Sequence, residues 1–444
     1  MTGGLPLHRA VEEYLSKGRA RFHMPGHKGE GPWLRWDITE VEGCDSLYQP
    51  QGAILELERW LSSLYGSRWT LLSAGGATLC IQAMLALSCP PGKKLVAGRG
   101  LHRSAVNAMA LLDLEPVWIY PDQSAGPWFA GRYTPQAVEA ALDACPEAAA
   151  VYLTSPDYFG VISDLAGVAQ VCRRRGVPLL VDNAHGAHLK FLPPQLGLRH
   201  PLDCGASLCS DSLHKTMPAM TGGALLQVGE EGFLAQAKGR MALFGSTSPS
   251  YPILLSCERA AEYAASGRAQ RDFGRVASLF ARLEALCRQR GLPIPEGPRD
   301  PARLSVAFGA QGWTPKGFGA HLRRYGVEPE YLSRTACVLM ATGFNRPEEF
   351  ARLERALVNL PGGQAAPPPS QQLPRLERAC SIRQATFSPW EEIPVGAAAG
   401  RVAGEECSPC PPGAPVVMPG ERLDGGAAEL LAACGVQTLR VLAE

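Results

Sequence analysis

Apolar and polar positions alternate along this chain with two different periods. From Ala53 to Tyr65, apolar residues recur at helical spacing (Ile54, Leu57, Trp60, Leu61, Leu64), which predicts a helix. Trp69–Leu72 is a short apolar run. A glycine-rich turn, Ser73-Ala-Gly-Gly-Ala-Thr78, follows it and leads into a helical stretch to about Leu87. Strands are predicted at Leu95–Ala97, Val117–Tyr120, Ala148–Leu153 and Val177–Val181, with helices at Ser104–Leu112, Pro135–Leu142 and Leu165–Arg175 between them. Thr221–Val228 reads as a further strand. Short β-rich runs alternating with helices of this length predict a mostly parallel sheet covered on both faces.

Beyond about Ser256 the rhythm changes. Helices are predicted at Glu258–Ala265 and Phe273–Arg288, and Leu304–Ala307 and Val338–Ala341 read as strands of a second, smaller sheet. The expected organisation is therefore an N-terminal segment (1–52) that contributes to the site, a major domain (53–256) and a small α/β domain (257–360). A proline-rich linker (361–375) and a C-terminal domain (376–444) complete it. The N-terminal segment is dense in Gly, His and Pro and holds one short predicted helix, near Val11–Leu15.

Composition narrows the function. Apolar residues make up 46% and charged residues 19%, which suits a globular chain with a sizeable core and not a disordered one. A net charge of +1 leaves no concentrated basic surface for nucleic acid or an anionic membrane. The apolar runs fall short of the ~18–20 residues that span a bilayer. With no signal-peptide stretch at the N-terminus, the cytoplasm is the expected location. The 14 cysteines are expected as free thiols. Cys407-Ser-Pro-Cys410 has no second pair nearby, so no metal site is expected.

Three segments carry candidate chemistry. The apolar strand Val177-Pro-Leu-Leu-Val-Asp182 ends in an acid and runs into Asn183-Ala-His185-Gly-Ala-His188. About thirty residues on, another strand leads to Ser210-Asp-Ser212-Leu-His214-Lys215-Thr216. The glycine-rich turn Gly75-Gly-Ala-Thr78 opens a helix upstream. All lie at strand ends, where open α/β sheets bind ligands. A phosphate site, a carboxylate for a ring nitrogen and a lysine able to form a Schiff base together match pyridoxal phosphate (PLP), an electron sink for carbanions. Neither a dinucleotide fingerprint nor a P-loop is present.

With these segments in place, the sequence resembles the bacterial Orn/Lys/Arg decarboxylases of PLP fold type I. The resemblance rests on Phe22-His-Met-Pro-Gly-His-Lys28-Gly, on Asp37-Ile-Thr-Glu40 with Gly43, Asp45, Leu47, Pro50 and Gly52, and on Thr154-Ser-Pro-Asp-Tyr-Phe-Gly160. It extends through Val181-Asp-Asn-Ala-His-Gly-Ala-His188 and Ser212-Leu-His-Lys-Thr216 to the C-terminal Pro-Pro-Gly-Ala-Pro and Pro-Gly-Glu421. It implies a three-layer αβα major domain with a smaller C-terminal α+β domain, in the short form without an N-terminal wing domain. It implies PLP-dependent decarboxylation of arginine, lysine or ornithine, and so a place in polyamine biosynthesis.

The resemblance also assigns roles. Lys215 would carry PLP as a Schiff base, Asp182 would pair with the pyridine nitrogen, and His102 would stack on the ring. Gly76, Ala77, Thr78 and Ser212 would bind the phosphate. His185 would lie beside the cofactor, and His214 could move protons. Asp45 and Glu328 are candidates for the substrate's distal cation, by order in the chain and family analogy. A homodimer or higher homo-oligomer is expected, with the segment around Phe22–Gly52 helping to complete a site. Three departures stand out. Gly75-Gly-Ala-Thr78 replaces the family's Asn-Gly-Ser-Thr, Asp182-Asn-Ala-His185 replaces Asp-Glu-Ala-His, and Asp45-Ser-Leu-Tyr48 replaces Asp-Asp-Leu-His. The cofactor segments alone also fit a fold-type-I aminotransferase or β-lyase, or a PLP-binding protein without turnover.

Overall fold

The computed structural model describes residues 4–32, 34–122, 131–362, 372–408 and 415–443. Cys410, most of the proline-rich linker and the stretch 411–414 lie outside the described residues. The central sheet has seven strands: β1 (Trp69–Ser73), β2 (Lys94–Gly98), β3 (Glu115–Ile119), β4 (Val151–Thr154), β5 (Leu179–Asp182), β6 (Leu208–Asp211) and β7 (Ala224–Val228). With helices between the strands, the chain has the expected three-layer α/β fold. Packing divides the described chain into two compact units, Met1–Ser88 with Pro178–Arg271, and Cys89–Val177 with Asp272–Glu444.

In the first unit β5 and β6 run parallel, and β7 lies antiparallel to both β6 and β1. One reversed strand thus interrupts an otherwise parallel arrangement. The strands are buried along nearly their whole length, as strands covered on both faces are. The helix Ala53–Tyr65 buries Ile54, Leu57, Leu61 and Tyr65 on one face. It ends at Gly66, whose φ of 69° is left-handed and whose N–H returns to Ser62. Its start is held by Asp45, whose carboxylate accepts from the amides of Gln51 (2.9 Å), Gly52 (2.8 Å) and Ile54 (3.2 Å).

Two buried acids fasten this unit, one of them holding the N-terminal helix. Glu258, in the helix Tyr251–Ala265, accepts from the Leu7 (2.7 Å) and His8 (2.9 Å) amides that open the helix Pro6–Ser16. Glu58 accepts from Lys238 Nζ (2.5 Å), the Leu72 amide (3.0 Å) and Trp69 Nε1 (3.2 Å).

In the second unit β2 is parallel to both β3 and β4. A small antiparallel sheet follows, made of β8 (Arg303–Val306), β9 (Tyr331–Leu332) and β10 (Cys337–Met340), with β10 in the middle. The C-terminal residues pair Trp390–Pro394 with Thr438–Leu442 and enclose their own core of Val416, Val417, Leu431 and Val441. That core is fastened to the end of β2 by a buried fork. Arg99 donates to both Glu421 oxygens, at 2.6 and 2.7 Å, and to the Val416 carbonyl at 3.2 Å. No described helix is long and apolar enough to cross a membrane. The described cysteines are free, as expected, and burial holds the Cys80 and Cys257 thiols up at about 12.

Candidate active site

The first unit collects most of the expected residues at two neighbouring strand ends. β5 stops at Asp182, which is 2% exposed and accepts the Ala184 amide at 3.0 Å. The chain then turns, with the Gly186 amide donating to the Asn183 carbonyl at 2.7 Å, and this turn presents His185. β6 stops at Asp211, and Ser212 opens the single helical turn Leu213–Thr216 that carries His214 and Lys215. Strand pairing of β5 with β6 brings these turns together, so Lys215 Nζ lies 3.1 Å from His185 Nε2.

Around the lysine, Ser212 Oγ is 3.2 Å from His214 Nδ1, and His214 Nδ1 is 3.3 Å from the Gly223 carbonyl. A ring nitrogen facing a carbonyl carries the proton, so His214 Nδ1 is the donor here. Burial pushes the His214 pKa down, with Lys215 adding to it against the Gly223 bond, so the imidazole stays neutral near pH 7.

The glycine-rich turn after β1 is exposed at Gly75 and Thr78 and opens the 13-residue helix Gly76–Ser88. Gly76 has φ +70°, a backbone conformation that disfavours a side chain, and the space where a Cβ would sit is open. The Gly76 amide, an expected phosphate donor, donates to the Gly222 carbonyl at 2.8 Å. The first-turn amides of Ala77 and Thr78 and the Thr78 hydroxyl are the remaining donors, because a helix start supplies no intrahelical acceptors for its first N–H groups.

His102, in the second unit, caps the helix Arg103–Leu112. Its Nδ1 accepts from the Ser104 amide at 3.1 Å, which puts the ring proton on Nε2. The loop after β4 holds Asp157, whose Oδ1 accepts from the amides of Phe159 (2.9 Å) and Val161 (2.8 Å). Burial pushes this carboxyl up to about 7, against those bonds and nearby Arg303. Arg303 donates to the Asp157 and Tyr158 carbonyls, both at 2.9 Å, so the loop is fixed to β8. Tyr158 Oη reaches Glu330 at 3.3 Å.

The two candidates for a distal cation are occupied otherwise. Asp45 acts as the clasp of the helix start described above, because three backbone amides engage its carboxylate. Glu328 is exposed and pairs with the Arg323 guanidinium at 2.6 Å, which holds its carboxyl below the usual range. Nothing in the residue pattern signals the buried amide–carboxylate contact behind the lysine, where Asn183 Nδ2 donates to Asp211 Oδ1 at 2.5 Å. The role of Arg303 is equally invisible in the sequence, since its loop partners lie about 145 residues away.

This arrangement offers an amine beside an imidazole, a buried acid at the next strand's end, and an open glycine turn at a helix start. Comparison with known proteins gives it a context. The description "Orn/Lys/Arg decarboxylase, major domain" matches residues 5–278, and "Orn/Lys/Arg decarboxylase, C-terminal domain" matches residues 371–434. An uncharacterized protein of Bacillus subtilis, YaaO, is 29% identical over 94% of this chain and 92% of its own length. The arginine decarboxylase of Halalkalibacterium halodurans is 28% identical over 94% of this chain and 90% of its own. The structure of the Escherichia coli constitutive lysine decarboxylase covers 99% of this chain and 82% of its own, with a TM-score of 0.80 at 17% identity. The expected family is thus met across both the major and the C-terminal domain: the chain belongs to the Orn/Lys/Arg decarboxylase family.

Proposed function

We propose that the protein decarboxylates a basic amino acid, arginine first among the three, using pyridoxal phosphate held covalently at Lys215 Nζ. The observation that carries this reading is the 3.1 Å contact between Lys215 Nζ and His185 Nε2, with buried Asp182 at the end of the same strand turn. The choice of arginine rests on the full-length relatives that bear the name arginine decarboxylase.

The residues fit the group. The open space at Gly76 lets a phosphate approach a backbone that a Cβ would obstruct, and the following amides point from a helix start, where anions are favoured. When bound, PLP supplies an electron sink for the pair left on Cα as carbon dioxide departs. Ala77, Thr78 and Ser212 would hold the phosphate. Asp182 would keep a proton on the ring nitrogen, its geometry set by the Ala184 amide. His185 takes or returns a proton at Lys215 Nζ. His214, neutral with its proton on Nδ1, can accept one at Nε2.

The chain would work as a homodimer, its N-terminal segment helping to complete a site. Phe22 and Met24 of that segment are 97% and 65% exposed, apolar surface that a partner chain would cover. The test is amine formation from arginine, lysine and ornithine with added PLP, followed by borohydride fixation and peptide mapping. Agmatine as the main product and a label on Lys215 are expected. A label on Lys28, Lys190 or Lys238, or a keto acid in place of an amine, would overturn the reading.

A further inference from the structure

Behind the lysine turn lies a fully buried polar cluster that none of the roles above uses. Asn183, His200, Asp211 and Gln227 are each 0% exposed. The Asp211 carboxylate accepts from Asn183 Nδ2 at 2.5 Å and from Gln227 Nε2 at 2.9 Å. His200 Nε2 stands 3.1 Å from both of its oxygens, and Cys209 Sγ reaches it at 3.9 Å. Gln227 is itself fixed, accepting from Thr70 Oγ1 at 2.6 Å. A buried anion is tolerated only when its lone pairs are satisfied, and here donors arrive from three separate segments.

His200, Cys209 and Asp211 bring their ligand atoms within 4.8 Å of one another, a grouping that metals use. Hydrogen bonding accounts for it better. His200 Nδ1 accepts the Leu202 amide at 3.4 Å, which leaves the proton on Nε2, facing the carboxylate. Burial and the neighbouring Asp211 charge keep Cys209 a thiol, with its pKa well above the ordinary value.

The position of the cluster gives it a task. Asn183 directly follows Asp182, and Asp211 directly precedes Ser212, four residues before Lys215. The Asn183 amide also donates to the Ser210 carbonyl at 2.9 Å, so backbone and side chain pin the same two turns. We propose that Asp211 is a positioning residue. Through Asn183 it locks the turn bearing Asp182 and His185 to the turn bearing Ser212 and Lys215, and the two positions must hold one amide and one carboxylate. This rests on the assignment of Lys215 and Asp182 above. It gives Asn183, a departure from the family pattern, a physical partner. A carboxylate at 183 would meet the Asp211 carboxylate at hydrogen-bond distance with no proton between them. Exchanging the two side chains restores a donor facing an acceptor, and the amide oxygen that Asp211→Asn places there could still receive Gln227 and His200.

The experiment compares Asn183→Asp, Asp211→Asn and the double exchange with the parent protein, with borohydride mapping of the parent in parallel. Readouts are melting temperature without cofactor, the visible absorption of bound PLP across pH, and kcat and KM for the preferred amino acid. Asn183→Asp should lower kcat by about a hundredfold, as displacing reacting groups by ~1 Å does, with KM within about threefold and the pH profile of the absorption moved. The double exchange should regain at least about tenfold of that loss, the non-additivity of a contacting pair. Variants that lose only melting temperature, with kcat and the absorption profile unchanged, would overturn the proposal. So would a double exchange no better than Asn183→Asp, or stoichiometric zinc in the purified parent. A borohydride label away from Lys215 would instead sink the underlying assignment.

Discussion

Single side chains at the strand ends decide what the site can do. Asp182→Asn keeps the bond to the Ala184 amide and removes the charge that would hold a proton on the ring. Turnover should fall by at least about a hundredfold, in the range for losing one preorganised electrostatic partner, while the melting temperature without cofactor stays near that of the parent. Asp157 gives a prediction in pH. Its folded pKa, raised by burial to about 7, lies above the unfolded value near 3.8. The folded chain therefore binds a proton that the unfolded chain releases, and stability falls as pH rises from about 4 to about 7. Asp157→Asn retains the acceptor for Phe159 and Val161 and cannot ionise. Its melting temperature should exceed the parent's at pH 8 and converge with it near pH 4, the gap at pH 8 amounting to at most about 4 kcal/mol of stability. A difference that is equal at both pH values would show that the carboxyl ionises normally. Lys215, Asp182 and the glycine turn are legible in the sequence because each sits at the end of an apolar run. The Asn183–Asp211 contact is not, because 28 residues separate partners that only strand pairing brings together.

Elements follow the hydrophobic pattern where the pattern is strong. The helix Ala53–Tyr65 and the helix Leu165–Arg175 have the bounds that periodicity predicts, and β1, β2 and β8 lie within a residue or two of their apolar runs. The helix Leu234–Phe244 leaves no such trace, because it buries little beyond Ala237 and Met241 and contains a glycine. The C-terminal strand Trp390–Pro394 is mostly exposed and carries two adjacent glutamates, so it lacks the alternation that marks a half-buried strand. Asp45, a sequence candidate for the substrate's distal cation, accepts three backbone amides at a helix start. Asp45→Ala should cost about 1–2 kcal/mol, as losing a helix-start carboxylate does, seen as a lower melting temperature. Unchanged stability with a raised KM would return the residue to the substrate. At the other end of the chain, Glu421→Ala should destabilise by about 3–5 kcal/mol, because it strands a fully buried guanidinium. Replacing Arg99 and Glu421 together by methionine should cost less. Equal losses in the two proteins would mean that packing volume, not the unpaired charge, dominates.

At the scale of the whole molecule, the proposed homodimer can be tested through the exposed Phe22 and Met24. Sedimentation should find a dimer or larger, and Phe22→Ser with Met24→Ser should shift it towards monomer with loss of activity. A fully active monomer would refute the shared site. The Arg99–Glu421 fork has a further consequence, in time. Its partners are 322 residues apart, so at about 5–20 residues per second a ribosome makes the arginine roughly 15–65 s before the glutamate that neutralises it. Throughout that interval the end of β2 carries a cation with no counter-charge. That corner of the sheet can close only once the chain has been synthesised through Glu421, so the fork sets how much polypeptide must exist before the C-terminal core can dock.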